Sequence, residues 1–307
     1  MKYNFIHIGL FLLSGLLSFP ISTFAQTTVQ VVTKRIEKTF NFKAGYELNI
    51  EGEKAKVDIQ TWDQPQIKVV LEISAKHQDQ AIAEQELEQV RYLTDRIKNK
   101  IYLRNYYAKE EGEGDPESIL SANYQILVPE ECPVYLKNYF GVANISDLTN
   151  RLRVSGEFAS IGLQNVSGQV DVTTRFGDLT GNLLDGLFNI NARRSDILLT
   201  DISGQYNIQA QYGTIEIFAD EKLINLNLEA EKSDVYFYTN NPTAFAYDIN
   251  TRFSNIDLPS HMKFDYNANN FELRKARFRP KQEVYSNIVL TITFGDLAVG
   301  KKRAAKP

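Results

Sequence analysis

From residue 134 onward, apolar and polar positions repeat with a fixed phase. A six-residue step, aromatic–small–polar–aliphatic–any–aliphatic, appears as Phe140-Gly141-Val142-Ala143-Asn144-Ile145 and again as Phe158-Ala159-Ser160-Ile161-Gly162-Leu163. It returns at Phe176-Gly177-Asp178-Leu179, Arg194-Ser195-Asp196-Ile197, Tyr212-Gly213-Thr214-Ile215, Lys232-Ser233-Asp234-Val235, Phe253-Ser254-Asn255-Ile256 and Phe294-Gly295-Asp296-Leu297. The first residues of successive steps are 18, 18, 18, 18, 20, 21 and 41 apart. The last gap spans about two periods, so one degenerate coil is expected between 259 and 287. Ahead of each step lies an apolar pair two residues apart: Leu152/Val154, Val170/Val172, Phe188/Ile190, Tyr206/Ile208, Leu226/Leu228, Tyr247/Ile249 and Ile288/Leu290. Alternation with period 2 is the mark of a strand with one buried face. Turn residues such as Val166-Ser167-Gly168 and Ile202-Ser203-Gly204 separate one unit from the next.

One such unit is too small to cover its own apolar residues. Stacking the units buries each ladder residue between its copies and pairs every strand with the next coil. The expected fold is all-β, a right-handed parallel β-helix or β-solenoid of 18–21-residue coils over 134–300. An antiparallel sandwich has no reason to keep an 18-residue phase through four successive steps.

Before residue 134 the pattern changes. Val29–Val31, Tyr46–Ile50, Val57–Ile59 and Ile67–Ile73 alternate like strands. Ile82, Val90, Leu93 and Ile97 then fall on one helical stripe, which predicts an amphipathic helix over 79–98 with Asp79 as its N-cap. An acidic loop, 109–118, leads back to strand character. Residues 26–133 are therefore expected to form early coils carrying one inserted helix that caps or flanks the stack, since an open end invites edge-to-edge association.

Residues 1–25 resemble a cleavable export signal. Lys2 precedes the apolar run Ile6–Leu17, Pro20 interrupts it, and Thr23-Phe24-Ala25 supplies the small residues at a cleavage site. The run is shorter than the ~20 residues that span a bilayer. After cleavage the chain is expected to be exported and not membrane-spanning, in the periplasm or at the cell surface, with 301–307 a solvated basic tail. A net charge of -4 gives no field for nucleic acid. Cys132 is the one cysteine, which excludes a disulfide framework and multi-thiolate metal sites.

The leader, the helix-interrupted strands and the Phe-Gly-Asp-Leu steps at Phe176–Leu179 and Phe294–Leu297 together resemble the bacterial "putative adhesin" family of exported β-strand-repeat proteins. The resemblance covers about residues 30–300 and implies a right-handed β-helix-like domain. The family is a domain of unknown function, so no catalytic residues carry over.

Candidate chemistry is sparse. Asp178, Asp196, Asp234 and Asp296 recur as in a calcium roll, but the glycine-rich loop that roll requires is missing and Ser160, Thr214 and Asn255 replace the aspartate elsewhere. They read as turn-capping side chains, with no metal or cofactor expected. The step aromatics Phe140, Phe158, Phe176, Tyr212, Phe253 and Phe294 form the candidate binding column. Counting by twos from Leu152 points Phe158 toward the core edge, as a corner plug; an exposed column would offer a surface to sugars or a protein partner. Arg175, Arg193, Arg194 and Arg252 lie at or beside the step starts, where a lyase-like polysaccharide enzyme would carry arginines, but no motif places a general base beside them. Arg274–Lys281 is a basic cluster read as a solvated face, and His77 and His261 read as surface residues. The function expected is a non-enzymatic envelope scaffold that binds a glycan or protein; the alternative is a polysaccharide-active enzyme on the same scaffold.

Overall fold

The computed structural model describes residues 29–108 and 114–301. The leader, part of the acidic loop (109–113) and the tail from 302 lie outside the described residues. The described residues are all-β apart from one α-helix and a 3₁₀ turn at Pro242–Ala244, and their strands join by pairing into one sheet.

The 18-residue phase is written directly into the pairing. Val134–Tyr139, Leu152–Glu157 and the second halves of Ser160–Arg175, Leu179–Arg193 and Ile197–Gln211 lie parallel, each residue opposite its copy 18 positions on. Leu136, Val154, Val172, Ile190, Ile208 and Leu228 therefore fall in one line, all buried. A second row of parallel strands lines up Ala143, Ile161, Leu179, Ile197, Ile215 and Val235, also buried. Ser160–Arg175, Leu179–Arg193 and Ile197–Gln211 cross from one row to the other by bending at left-handed residues, Asn165, Leu183 and Asp201, with φ of 51°, 55° and 51°. Apolar burial at about 25 cal/mol per Å² is the main force that holds the rungs in register, because a one-residue slip would turn each inner line outward.

Both ends depart from simple succession. Ser286–Thr293 inserts between Thr214–Glu231 and Phe245–Arg252, so the rung at 245–257 lies beyond the one that follows it in sequence. The expected degenerate coil between 259 and 287 is not a coil. Asp265–Asn269 and Arg274–Phe278 form an antiparallel hairpin laid on Phe245–Arg252. The other end is built alike: Glu47–Glu53 sits between Lys100–Tyr107 and Val134–Tyr139, and Ala55–Trp62 between Ile119–Pro129 and Val142–Ser146.

The helix is shorter than the 79–98 expected. It runs Gln80–Gln89, with Asp79 capping it by accepting from the Ala81 N–H at 2.8 Å. Val90–Ile97 is instead an edge strand antiparallel to Lys100–Tyr107, and Leu93 and Ile97 are exposed on it. The buried helical residues are Ala83 and Leu87. Among the described residues no helix is long and apolar enough to cross a membrane.

Candidate functional site

The six candidate aromatics occupy one corner of successive rungs. Each has left-handed backbone, with φ of 55° at Phe140, 51° at Phe158, 56° at Phe176, 60° at Tyr212, 52° at Phe253 and 58° at Phe294. The corner amides hold that conformation by bonding to the next rung: Phe140 N–H to Glu157 C=O at 3.0 Å, Phe158 to Arg175 at 2.9 Å, Phe176 to Arg193 at 3.1 Å. A left-handed residue breaks the alternation of side chains, so counting by twos fails there. The rings are exposed, from 40 % at Phe176 to 55 % at Phe140, and are not the core-edge plugs that parity implies.

In space the column runs Phe140, Phe158, Phe176, Arg194, Tyr212, Lys232, Phe294, Phe253. Phe158 stacks on Phe140 at 5.2 Å and on Phe176 at 4.7 Å, with planes within 7°. The Arg194 guanidinium lies between Phe176 and Tyr212, 5.2 and 5.8 Å from their centroids. Lys232 sits 5.1 Å from the Tyr212 ring and donates to its Oη at 3.2 Å. Phe294 and Phe253 stack at 5.1 Å. The rings thus cover one another's faces and turn their edges to solvent. A sugar stacks on a face, so this arrangement is a seam between rungs, each ring pair contributing about 0.5–1.5 kcal/mol.

Behind the aromatics the step aspartates bond from rung to rung. Asp178 Oδ1 accepts from the Asp196 N–H at 3.1 Å, Asp196 Oδ1 from Thr214 at 2.7 Å, and Asp234 Oδ1 from Asp296 at 2.8 Å. Asp296 in turn accepts from the Asn255 backbone and side chain at 3.2 and 3.0 Å. Capping of the adjacent turn therefore occupies these carboxylates.

The outward side of the row 134–139 to 286–293 carries a different surface. Asn189 donates to Asp171 at 3.0 Å, Asn227 to Asn207 at 3.1 Å, Asn191 to Gln209 at 3.4 Å and Gln211 to Glu231 at 3.0 Å. A groove of about 770 Å³ runs over this face, lined among others by Thr173, Arg175, Asn191, Arg193, Gln209 and Glu229. A second concavity of about 480 Å³ continues the face toward Tyr102, Tyr135 and Leu93. Of the four arginines singled out from sequence, only Arg175 and Arg193 meet, as direct partners on adjacent rungs. Arg194 belongs to the aromatic seam, and Arg252 lies on the rung beyond Thr293.

The remaining candidates have local roles. Arg277 and Arg279 of the basic cluster both bond to Asp248, at 2.7 and 2.8 Å, fastening the end hairpin. Burial raises the Asp248 pKa, but these two arginines outweigh it and hold the carboxyl below its ordinary value. His77 accepts from the Asp79 N–H at 3.0 Å, and His261 is exposed. Cys132 is buried, and burial pushes its thiol up to about 12. Among the described residues no group of three or more His, Cys, Asp or Glu is placed to hold a metal ion.

No family model matches the chain, and no curated protein matches it. Among solved structures, a "putative adhesin" from Bacteroides fragilis aligns over 88 % of this chain and 97 % of its own, at 12 % identity and a TM-score of 0.46. A "putative cell adhesion protein" from Clostridium sporogenes aligns over 88 % and 100 %, at 14 % identity and a TM-score of 0.26. A "Putative lipid binding protein" from Parabacteroides distasonis aligns over 88 % and 97 %, at 10 % identity and a TM-score of 0.31. At these scores the likeness carries no argument about fold or function.

Proposed function

We propose that the chain is a non-enzymatic binding scaffold of the bacterial envelope, a right-handed β-solenoid whose polar face receives a glycan or a protein. The observation that carries the reading is the groove over the in-register ladder of Thr173, Asn191 and Gln209. Rungs about 4.8 Å apart give hydrogen-bonding groups at a regular interval along an extended partner. Thr, Asn and Gln offer hydrogen-bond donors and acceptors, which suits recognition of a polar partner. The leader-like first 25 residues support export.

The test uses the protein without residues 1–25, applied to a glycan array and to crosslinked pull-downs from envelope fractions. Saturable capture on either supports the scaffold. Silence on both, or turnover of pectin or alginate, overturns it.

A further inference from the structure

Several charges on the outward face pair from rung to rung. Lys100 meets Glu47 at 2.6 Å, Arg104 meets Glu51 at 3.3 Å, Arg153 meets Asp171 at 3.2 Å and Arg277 meets Asp248 at 2.7 Å, each across neighbouring strands. Arg175 and Arg193 do not. They are direct strand partners, both exposed, and neither forms an ion pair or a side-chain hydrogen bond among the described residues. Glu157 is the partner of Arg175 on the preceding rung, yet no ion pair forms between them. Two like charges on adjacent rungs repel, and a shared anion removes that repulsion.

The groove is graded along its length. After the arginine rungs come the amides of Gln209 and Gln211, and then the carboxylates of Glu229 and Glu231. A uniformly acidic polymer would meet those glutamates, whereas a chain with neutral sugars beside its acidic one would offer them hydroxyls to bond.

Building on the binding-scaffold reading, we propose that Arg175 and Arg193 clamp the carboxylate of an acidic sugar, while the adjoining neutral sugars lie along Asn191, Gln209 and Glu229. The two guanidinium groups supply planar donor forks matched to a carboxylate. The surrounding amides and the Thr173 hydroxyl are suited to sugar hydroxyls.

The probe is a hyaluronan tetrasaccharide, in which uronate and neutral sugars alternate, titrated calorimetrically into the protein without residues 1–25. Its methyl ester and a tetraglutamate peptide are run in parallel. Arg175→Gln and Arg193→Gln should each weaken binding about tenfold, as should esterification. Arg252→Gln, in the same outward line but beyond the groove, should leave it unchanged. Circular-dichroism melts of the variants should match the parent, because both side chains stand in solvent. The inference is overturned if the tetrasaccharide does not bind, if the two arginine variants bind it unchanged, or if tetraglutamate binds as tightly. Capture of another glycan or an envelope protein alongside any of those results would keep the scaffold reading and remove only the clamp.

Discussion

Replacing Gly177 by alanine tests how closely the rungs are stacked. A Cβ built at Gly177 lies 2.2 Å from the Ala159 carbonyl oxygen, 2.6 Å from its carbon and 2.8 Å from its nitrogen. All three are backbone atoms of the neighbouring rung, so no side chain can swing aside. Relief requires the two corners to part by about 1 Å, to ordinary contact distance. That movement stretches the Phe158 N–H bond to the Arg175 carbonyl, now 2.9 Å, and the Ile161 N–H bond to the Asp178 carbonyl, now 2.8 Å. Overpacking of this kind costs about 1–3 kcal/mol, and a lost hydrogen bond adds about 1. The expected loss is about 2–4 kcal/mol, a large share of the ~5–15 kcal/mol that typically holds a domain. In a urea titration the midpoint should fall by about 1 M at unchanged slope. Gly114, where an added Cβ meets nothing within 4 Å, is the control, and Gly114→Ala should leave the midpoint in place. A Gly177→Ala midpoint equal to the parent's would refute the close corner stacking.

Three further outcomes are expected. Phe158→Ala removes the ring between Phe140 and Phe176 and should cost about 1–3 kcal/mol in thermal or urea melts, although the side chain is 47 % exposed. Asp248→Asn should destabilise the end hairpin in a pH-dependent way. The folded pKa lies below the ordinary 3.8, so the wild-type advantage is full above that value and lost as pH falls through the folded pKa, where hydrogen-exchange rates of Arg274–Phe278 in the two proteins should converge. Cys132, buried with its thiol raised to about 12, should resist a disulfide-exchange reagent in the folded protein and react at once in denaturant.

The stacking of Val154, Val172, Ile190 and Ile208 was legible in the sequence because an 18-residue period and a two-residue alternation both survive without interruption there. The ends were less legible, since a pattern reports which residues are equivalent and not which copy lies beside which. One signal was nevertheless present. Read in spatial order, the position after each corner alternates between glycine and a small residue: Ala55, Gly141, Ala159, Gly177, Ser195, Gly213, Ser233, Gly295, Ser254. In sequence order Ser233 and Ser254 stand together, and only the insertion of Gly295 between them restores the alternation. The helix was overrun because Val90–Ile97 is an edge strand, exposed on both faces, so little alternation marked it as one. The outward turn of the aromatics escapes the pattern for a conformational reason: hydrophobic pattern does not encode a positive φ on phenylalanine. The arginine pair was visible as spacing, but its lack of a counter-ion needed coordinates.

The rung order can be measured directly by disulfide trapping. Neighbouring parallel strands hold partner residues about 4.8 Å apart, within disulfide reach, whereas two rungs is about twice that. Glu229 and Thr291 are strand partners, while Asn250 lies one rung further on. Under mild oxidation, Glu229→Cys with Thr291→Cys should crosslink fully, and Glu229→Cys with Asn250→Cys should stay reduced. Crosslinking of the second pair and not the first would mean that the rungs follow sequence order, contradicting the interleaved stack.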